Sequence, residues 1–134
     1  MTAAPLARTP QPPSVDQGAG KATPAVSVII ATYNSGSLLT CAMDALEAQT
    51  LPGHLIEVLV VDDGSTDDTW RYLSELEDRR SNVKIFRQTH TGGPSAGRNR
   101  ALAEATGEFV FFHDADDYLG ADALRRFVGF AQQH

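Results

Sequence analysis

Residues 56–65 read IEVLVVDDGS, and the placement of this stretch decides the fold. From Ile56 to Val61 it is dominated by β-branched and aliphatic side chains without apolar–polar alternation. That is the signature of a strand covered on both faces, which belongs to a parallel sheet. The run stops abruptly at Asp62-Asp63-Gly64-Ser65, which is turn chemistry. In parallel sheets ligands bind beyond the carboxyl ends of the strands, so the turn is also a candidate site.

The same alternation extends in both directions. Upstream, AVSVIIATYN (25–34) opens with a β-branched run from Val26 to Ile30. The segment after it has Leu38, Leu39, Ala42, Met43, Leu46 and Glu47 at helical spacing, with Ser35 or Ser37 to cap it and Pro52-Gly53 to end it. Downstream, STDDTWRYLSELEDRR (65–80) predicts a helix with Trp70, Leu73 and Leu76 on one face, acids in the first turn and arginines in the last. VKIFRQ (83–88) is a third strand, and THTGGPSAGRNRALAEATG (89–107) is a Gly-rich loop running into a helix. EFVFFHD (108–114) is a fourth strand, and ADALRRFVGFAQQH (121–134) an amphipathic helix. Four strand–helix repeats predict an α/β fold: a Rossmann-like, mostly parallel sheet of about four strands with helices on both faces. ATYN, VDDGS and HDADD should then converge at one edge of that sheet.

Composition sets the outer limits. A 134-residue chain holds one domain, and 42% hydrophobic with 21% charged residues suits a globular one. The net charge of -6 argues against a nucleic-acid polymer as partner, which needs clustered Lys and Arg. A single nucleotide is not excluded, because one divalent cation reverses the local sign. Residues 1–24 carry five of the seven prolines and few bulky apolar side chains, so a disordered tail is expected there, with the folded domain at 25–134. The tail has no apolar core of a secretory signal, the lone Cys41 has no internal disulfide partner, and no apolar run reaches the roughly 18 residues of a membrane span. On these features the chain is expected in the cytoplasm, or peripherally at the cytoplasmic face of a membrane.

Three constellations carry chemistry. In VDDGSTDD, Thr66 or Asp67 could simply cap a helix, or a carboxylate could accept hydrogen bonds from a base or ribose. A phosphatase-type D-x-D nucleophile is excluded, because Gly64 stands where the second Asp would be. In HDADD, the acids could be a solvated turn capping the last helix with the help of Asp122. An EF-hand fails, since Leu119 and Arg125 occupy the positions of its Gly and bidentate Glu. A D-x-D holding Mg²⁺ or Mn²⁺ between protein and a diphosphate fits better, with His113 as a hydrogen-bonding neighbour. The loop HTGGPSAGRNRAL matches neither phosphate-loop fingerprint, and Pro94 reads as the first helical residue. Arg98, read into the first helical turn, could reach an anion near the sheet end. Tyr33, after the first strand, could plug the loop or offer a ring face to a base.

Taken together, VSVIIATYNSGSLLTCAMDALEAQT, VLVVDDGSTDDT and GGPSAGRNRALAEATGEFVFFHDADD resemble the family 2 glycosyltransferases with their GT-A fold, over about residues 25–134. The resemblance implies a nucleotide-sugar donor, usually a UDP-sugar, and inverting transfer to a glycan, lipid or protein acceptor. It implies that Thr32 and Tyr33 line the base pocket and that Asp63 hydrogen-bonds the base. Asp114 and Asp116 then match the metal-binding D-x-D, with Asp114 facing the ribose or the metal, and Asp117 the extra acid. Arg98 and Asn99 match the family's R-N pair. The family's general base lies well beyond the D-x-D, so the catalytic base is expected outside this chain. On that reading the chain is a donor-binding half, with a sheet edge that a partner chain could cover. A nucleotide-binding module without catalysis, or one piece of a split enzyme, is the alternative. A response-regulator receiver would need an acidic pair where ATYN stands.

Overall fold

The computed structural model describes residues 23–134; the stretch through residue 22, expected to be a tail, lies outside them. The elements follow one another as β1 (Val26–Thr32), α1 (Ser37–Glu47), a 3-10 turn (Gly53–Leu55), β2 (Ile56–Asp62), α2 (Thr69–Arg79), β3 (Val83–Arg87), α3 (Pro94–Glu104), β4 (Phe109–Phe112) and α4 (Ala123–Gln133). The described strands form one parallel sheet in the order β3-β2-β1-β4. The sheet grows from β1 through β2 to β3, then the chain crosses back to place β4 on the other side of β1. That reversal puts a topological switch point between β1 and β4.

Burial explains the layers. Val26, Val28 and Ile30 alternate with Ser27 and Ile29 along β1, and all are buried, so both faces are covered. One face packs the larger core, with Leu39, Met43 and Leu46 of α1, Leu73 and Leu76 of α2, and Leu124 and Val128 of α4. The other face holds Ile29, Leu59 and Val61 against Ala101 of α3. Right-handed crossovers require this division, because α3 connects strands in the opposite direction from α1 and α2. The expected α/β architecture with helices on both faces is therefore present. No helix among the described residues is long and apolar enough to cross a membrane.

Helix α3 lies close because its inward residues are small. A Cβ on Gly97 would meet Ala31 Cβ and Val61 Cγ1 at 3.3 Å, so the helix nearly touches the sheet. This close approach carries the next residue, Arg98, to the carboxyl end of β4.

Several local readings need correction. Neither Ser35 nor Ser37 caps α1; the cap residue is Gly36 and makes no side-chain cap bond. The acids expected in the first turn of α2 lie just ahead of it, where the Asp67 carboxylate accepts the Thr69 N–H at 2.9 Å. With Pro94 as the first residue of α3, Arg98 falls in the second turn, not the first.

The inner strands contain a polar knot at the edge away from the carboxyl ends. Glu57 is 6% exposed and accepts from the Ser27 hydroxyl at 2.9 Å, from Thr106 N–H at 3.0 Å and from the Thr106 hydroxyl at 2.5 Å. Gly107 N–H donates to Ser27 Oγ at 2.8 Å, which ties the entry of β4 to β1. Burial pushes the Glu57 carboxyl up, but the Thr106 and Ser27 hydrogen bonds, with Lys84 nearby, outweigh it and hold it below its ordinary range. The charge is tolerated because its lone pairs are used.

Candidate functional site

The loops after β1, β2 and β4 share the carboxyl edge, and side chains bind the first two together. Asn34 sits at φ 49°, a left-handed conformation that Asn tolerates. Its N–H donates to Ser65 Oγ at 2.8 Å, and its Oδ1 accepts from Thr66 N–H at 2.8 Å. Asp62 is fully buried and serves the turn, taking Ser65 N–H at 3.1 Å and the Ser65 hydroxyl, with Arg87 Nε 3.4 Å away. Gly64 has φ +82°, and a Cβ there would come within 2.8 Å of His90 N. Only glycine lets the turn bring the loop after β3 this close.

Asp63 anchors that third loop. Its carboxylate accepts from Gln88 Nε2 at 2.9 Å, Thr91 N–H at 3.0 Å, Thr91 Oγ1 at 3.0 Å and Gly92 N–H at 3.3 Å. His90 Nδ1 stands 3.0 Å from Asp63 Oδ2 and 3.1 Å from its carbonyl oxygen, and the imidazole stacks on Tyr33 with centroids 4.1 Å apart. Tyr33 is 43% exposed with His90 stacked on its ring, whereas Thr32 is buried and its hydroxyl is shared with Ser35. Thr32 therefore shapes the loop and presents little of its side chain outward. Gln88, His90, Thr91 and Asn34 were not singled out as site residues from the sequence, since their partners are remote in the chain.

Burial would raise the Asp63 carboxyl, but the Gln88, Thr91 and Gly92 hydrogen bonds outweigh it and hold it at about 2, against an ordinary 3.8. A depressed carboxyl contributes stability that is full above its unfolded value and lost as pH falls through its folded value. Parent protein should thus lose stability between about pH 4 and pH 2 through this group, by on the order of 2 kcal/mol. In Asp63→Asn that contribution is absent at neutral pH, so denaturant-midpoint curves of the two proteins should converge as pH falls through that window. Parallel curves would show that the carboxylate is not held in this way.

The acidic cluster lies at the end of β4. Asp114, Asp116 and Asp117 are all exposed, and one carboxylate oxygen from each lies within 4.8 Å of the others. Asp114 points to the α3 face, as Phe112 two residues earlier does, and meets Arg98 Nη2 at 2.8 Å. The Arg98 guanidinium also lies over the Phe112 ring at 5.8 Å. Arg98 therefore does reach an anion, and the anion is the cluster itself. His113 faces the other way, 5% exposed behind the carboxylates, and its Nε2 has no hydrogen-bond partner. Burial lowers its pKa against the upward pull of Asp117, Asp114 and Asp116, so the ring is neutral near pH 7. The donor set of three clustered carboxylates, all hard oxygen ligands, fits Mg²⁺ or Mn²⁺.

β2 and β4 flank β1, so Asp63 and the cluster are two strand spacings apart, about 10 Å. The switch point lies between them.

Comparison with known proteins gives the family context. The model of "Glycosyl transferase family 2" matches residues 27–134. A poly(ribitol-phosphate) beta-glucosyltransferase of Bacillus spizizenii is 38% identical over 110 residues, covering 81% of this chain and 17% of that protein. The crystal structure of S. aureus TarS 1–349 in complex with UDP-GlcNAc superposes with a TM-score of 0.75 at 40% identity, covering 81% of this chain and 31% of that one. The mannosyltransferase PcManGT from Pyrobaculum calidifontis, in complex with GDP-Man and Mn²⁺, gives 0.64 at 34% identity over 70% of this chain and 28% of its own. The chain thus spans less than a third of each of these proteins.

Proposed function

The chain belongs to glycosyl transferase family 2, and from that membership we propose that residues 25–134 are the part of a glycosyltransferase that binds its nucleotide-sugar donor. The nucleoside lies at Tyr33 and Asp63, and the diphosphate reaches across the switch point to Asp114 and Asp116. The observation that carries this reading is the shared edge: the ionised Asp63 and the three clustered carboxylates follow the strands on either side of β1, at the carboxyl ends of one parallel sheet.

The chemistry of Asp63 calls for a base that offers N–H donors. A carboxylate held ionised at about 2 accepts hydrogen bonds and cannot donate them. Uracil offers N3–H to such an acceptor and guanine offers N1–H with its amino group, whereas cytosine has a bare N3. Between uracil and guanine, the TarS structure holding UDP-GlcNAc at 40% identity supports uracil. Asp114 and Asp116 would hold the Mg²⁺ or Mn²⁺, with Asp117 beside them. A divalent ion bound there supplies charge stabilisation to the leaving diphosphate. Arg98 keeps one oxygen of Asp114 engaged at 2.8 Å and leaves the other for the ion or the ribose. In the complete enzyme the acceptor hydroxyl would displace the diphosphate directly, with inversion at the anomeric carbon.

Calorimetric titration of the chain with UDP and with GDP, each with and without Mn²⁺, tests the proposal. UDP is expected to bind, to bind more tightly with Mn²⁺, and to outcompete GDP. No UDP binding at millimolar concentration in the presence of Mn²⁺ would sink it. Tighter binding of GDP than UDP would keep the site and overturn the choice of base, as the GDP-Man complex of the Pyrobaculum relative makes a concrete alternative.

A further inference from the structure

We propose that His90 competes with the donor's nucleobase for Tyr33 and Asp63, so that base binding requires the imidazole to leave. The inference rests on the placement of the base at these two residues. His90 Nδ1 lies 3.0 Å from Asp63 Oδ2 and 3.1 Å from the Asp63 carbonyl oxygen. Both neighbours are acceptors, so this nitrogen carries the hydrogen. The ring is stacked on Tyr33 at 4.1 Å between centroids and 28° between planes. A flat ring on Tyr33, presenting an in-plane N–H to the Asp63 carboxylate, reproduces the two contacts that a uracil would make. At this separation no base fits between the two rings, so histidine and base exclude each other.

The surroundings allow the exchange. The His90 side chain is 47% exposed, so swinging it outward opens no cavity in the core. Gly92, at φ +92°, and Gly93 follow it and have open space where a Cβ would stand. Asp63 keeps Gln88, Thr91 and Gly92 as donors once His90 has gone, so the acceptor stays fixed and ionised. His90 therefore sets a threshold. A ligand must offer both a stacking face and an N–H at the right place to displace it, and its apparent affinity is reduced by the fraction of time the ring is in place.

The test uses His90→Ala in the full chain, titrated with UDP, UMP and inorganic pyrophosphate, each with Mn²⁺. UDP and UMP should bind roughly 10-fold more tightly than to the parent, and pyrophosphate equally to both. In the parent, NMR contacts between the His90 and Tyr33 rings should disappear as UDP is added. Equal or weaker binding of UDP by the variant overturns the competition while leaving nucleotide binding intact. Tighter pyrophosphate binding overturns it too, because the effect would then be a general loosening. If neither protein binds UDP, the nucleotide reading fails and this inference fails with it.

Discussion

Replacing Gly107 by alanine is expected to be the most damaging single change in the domain. A Cβ at this position would lie 2.7 Å from Ser27 N, 2.7 Å from Ser27 Oγ and 2.8 Å from Val26 C. Two of those three atoms are backbone of the central strand, so no flexible side chain can yield. Relief requires moving the start of β4 away from β1, and that breaks the Gly107 N–H bond to Ser27 and loosens Thr106 from Glu57. A buried carboxylate that loses its donors is costly on its own account. The sum should exceed about 4 kcal/mol, a large share of the 5–15 kcal/mol of a typical domain. In thermal denaturation the variant should melt at least about 10 °C lower, or be unfolded at room temperature. Gly129 is the control. It lies within α4, and a Cβ there meets nothing within 4 Å, so Gly129→Ala should raise stability by roughly 0.5–1 kcal/mol. Equal melting of parent and Gly107→Ala would show that the β4 entry is not locked.

Asp116→Asn should produce the largest functional loss without a loss of fold. Asp116 is exposed, so its replacement disturbs no core, and the amide keeps the size and shape of the side chain. On the proposed site, what disappears is one of the two carboxylates that would hold the ion. Outer-shell changes at metal sites already cost roughly 10–100-fold in affinity, and removal of a direct charged ligand should cost at least about 100-fold. UDP binding in the variant should therefore respond little to Mn²⁺, while the weak metal-free component, carried by Tyr33 and Asp63, persists. Mn²⁺ titration by electron paramagnetic resonance, with and without UDP, reads this directly. Parent-like Mn²⁺ dependence in Asp116→Asn would move the cation elsewhere.

The sheet was legible because β1 and β2 are buried on both faces, and that condition marks the chain locally without reference to any partner. The caps were not legible: Ser35 and Ser37 have the right chemistry, but Ser35 is drawn to Thr32 and the helix begins from Gly36. Glu57 was passed over inside a run read as apolar, although Ser27, Glu57 and Thr106 are the polar residues that such a run would need to pair. At the site, Asp63 and the D-x-D were visible as strand-end acids. The donors that hold Asp63 were not, because Gln88, Thr91 and Gly92 reach it from the loop after another strand, and nothing in QTHTGG announces a carboxylate.

β4 has only four residues and, among the described residues, lies at the sheet edge and pairs with β1 alone. Its partner comes from the far end of the described chain, so this pairing closes a long loop, whereas β1, β2 and β3 join through successive crossovers. β4 is therefore expected to dock after β1 and β2 have paired and, in the folded protein, to open before them. The amides of Phe109 and His113, which donate to Ala25 and Ile29, should exchange with solvent deuterium sooner than those at the centre of β2. A ligand that spans from Asp63 to the carboxylates after β4 would clasp this edge shut. Exchange at Phe109 and His113 should then slow in proportion to ligand concentration, so that the breathing of one short strand reports whether both ends of the site are engaged.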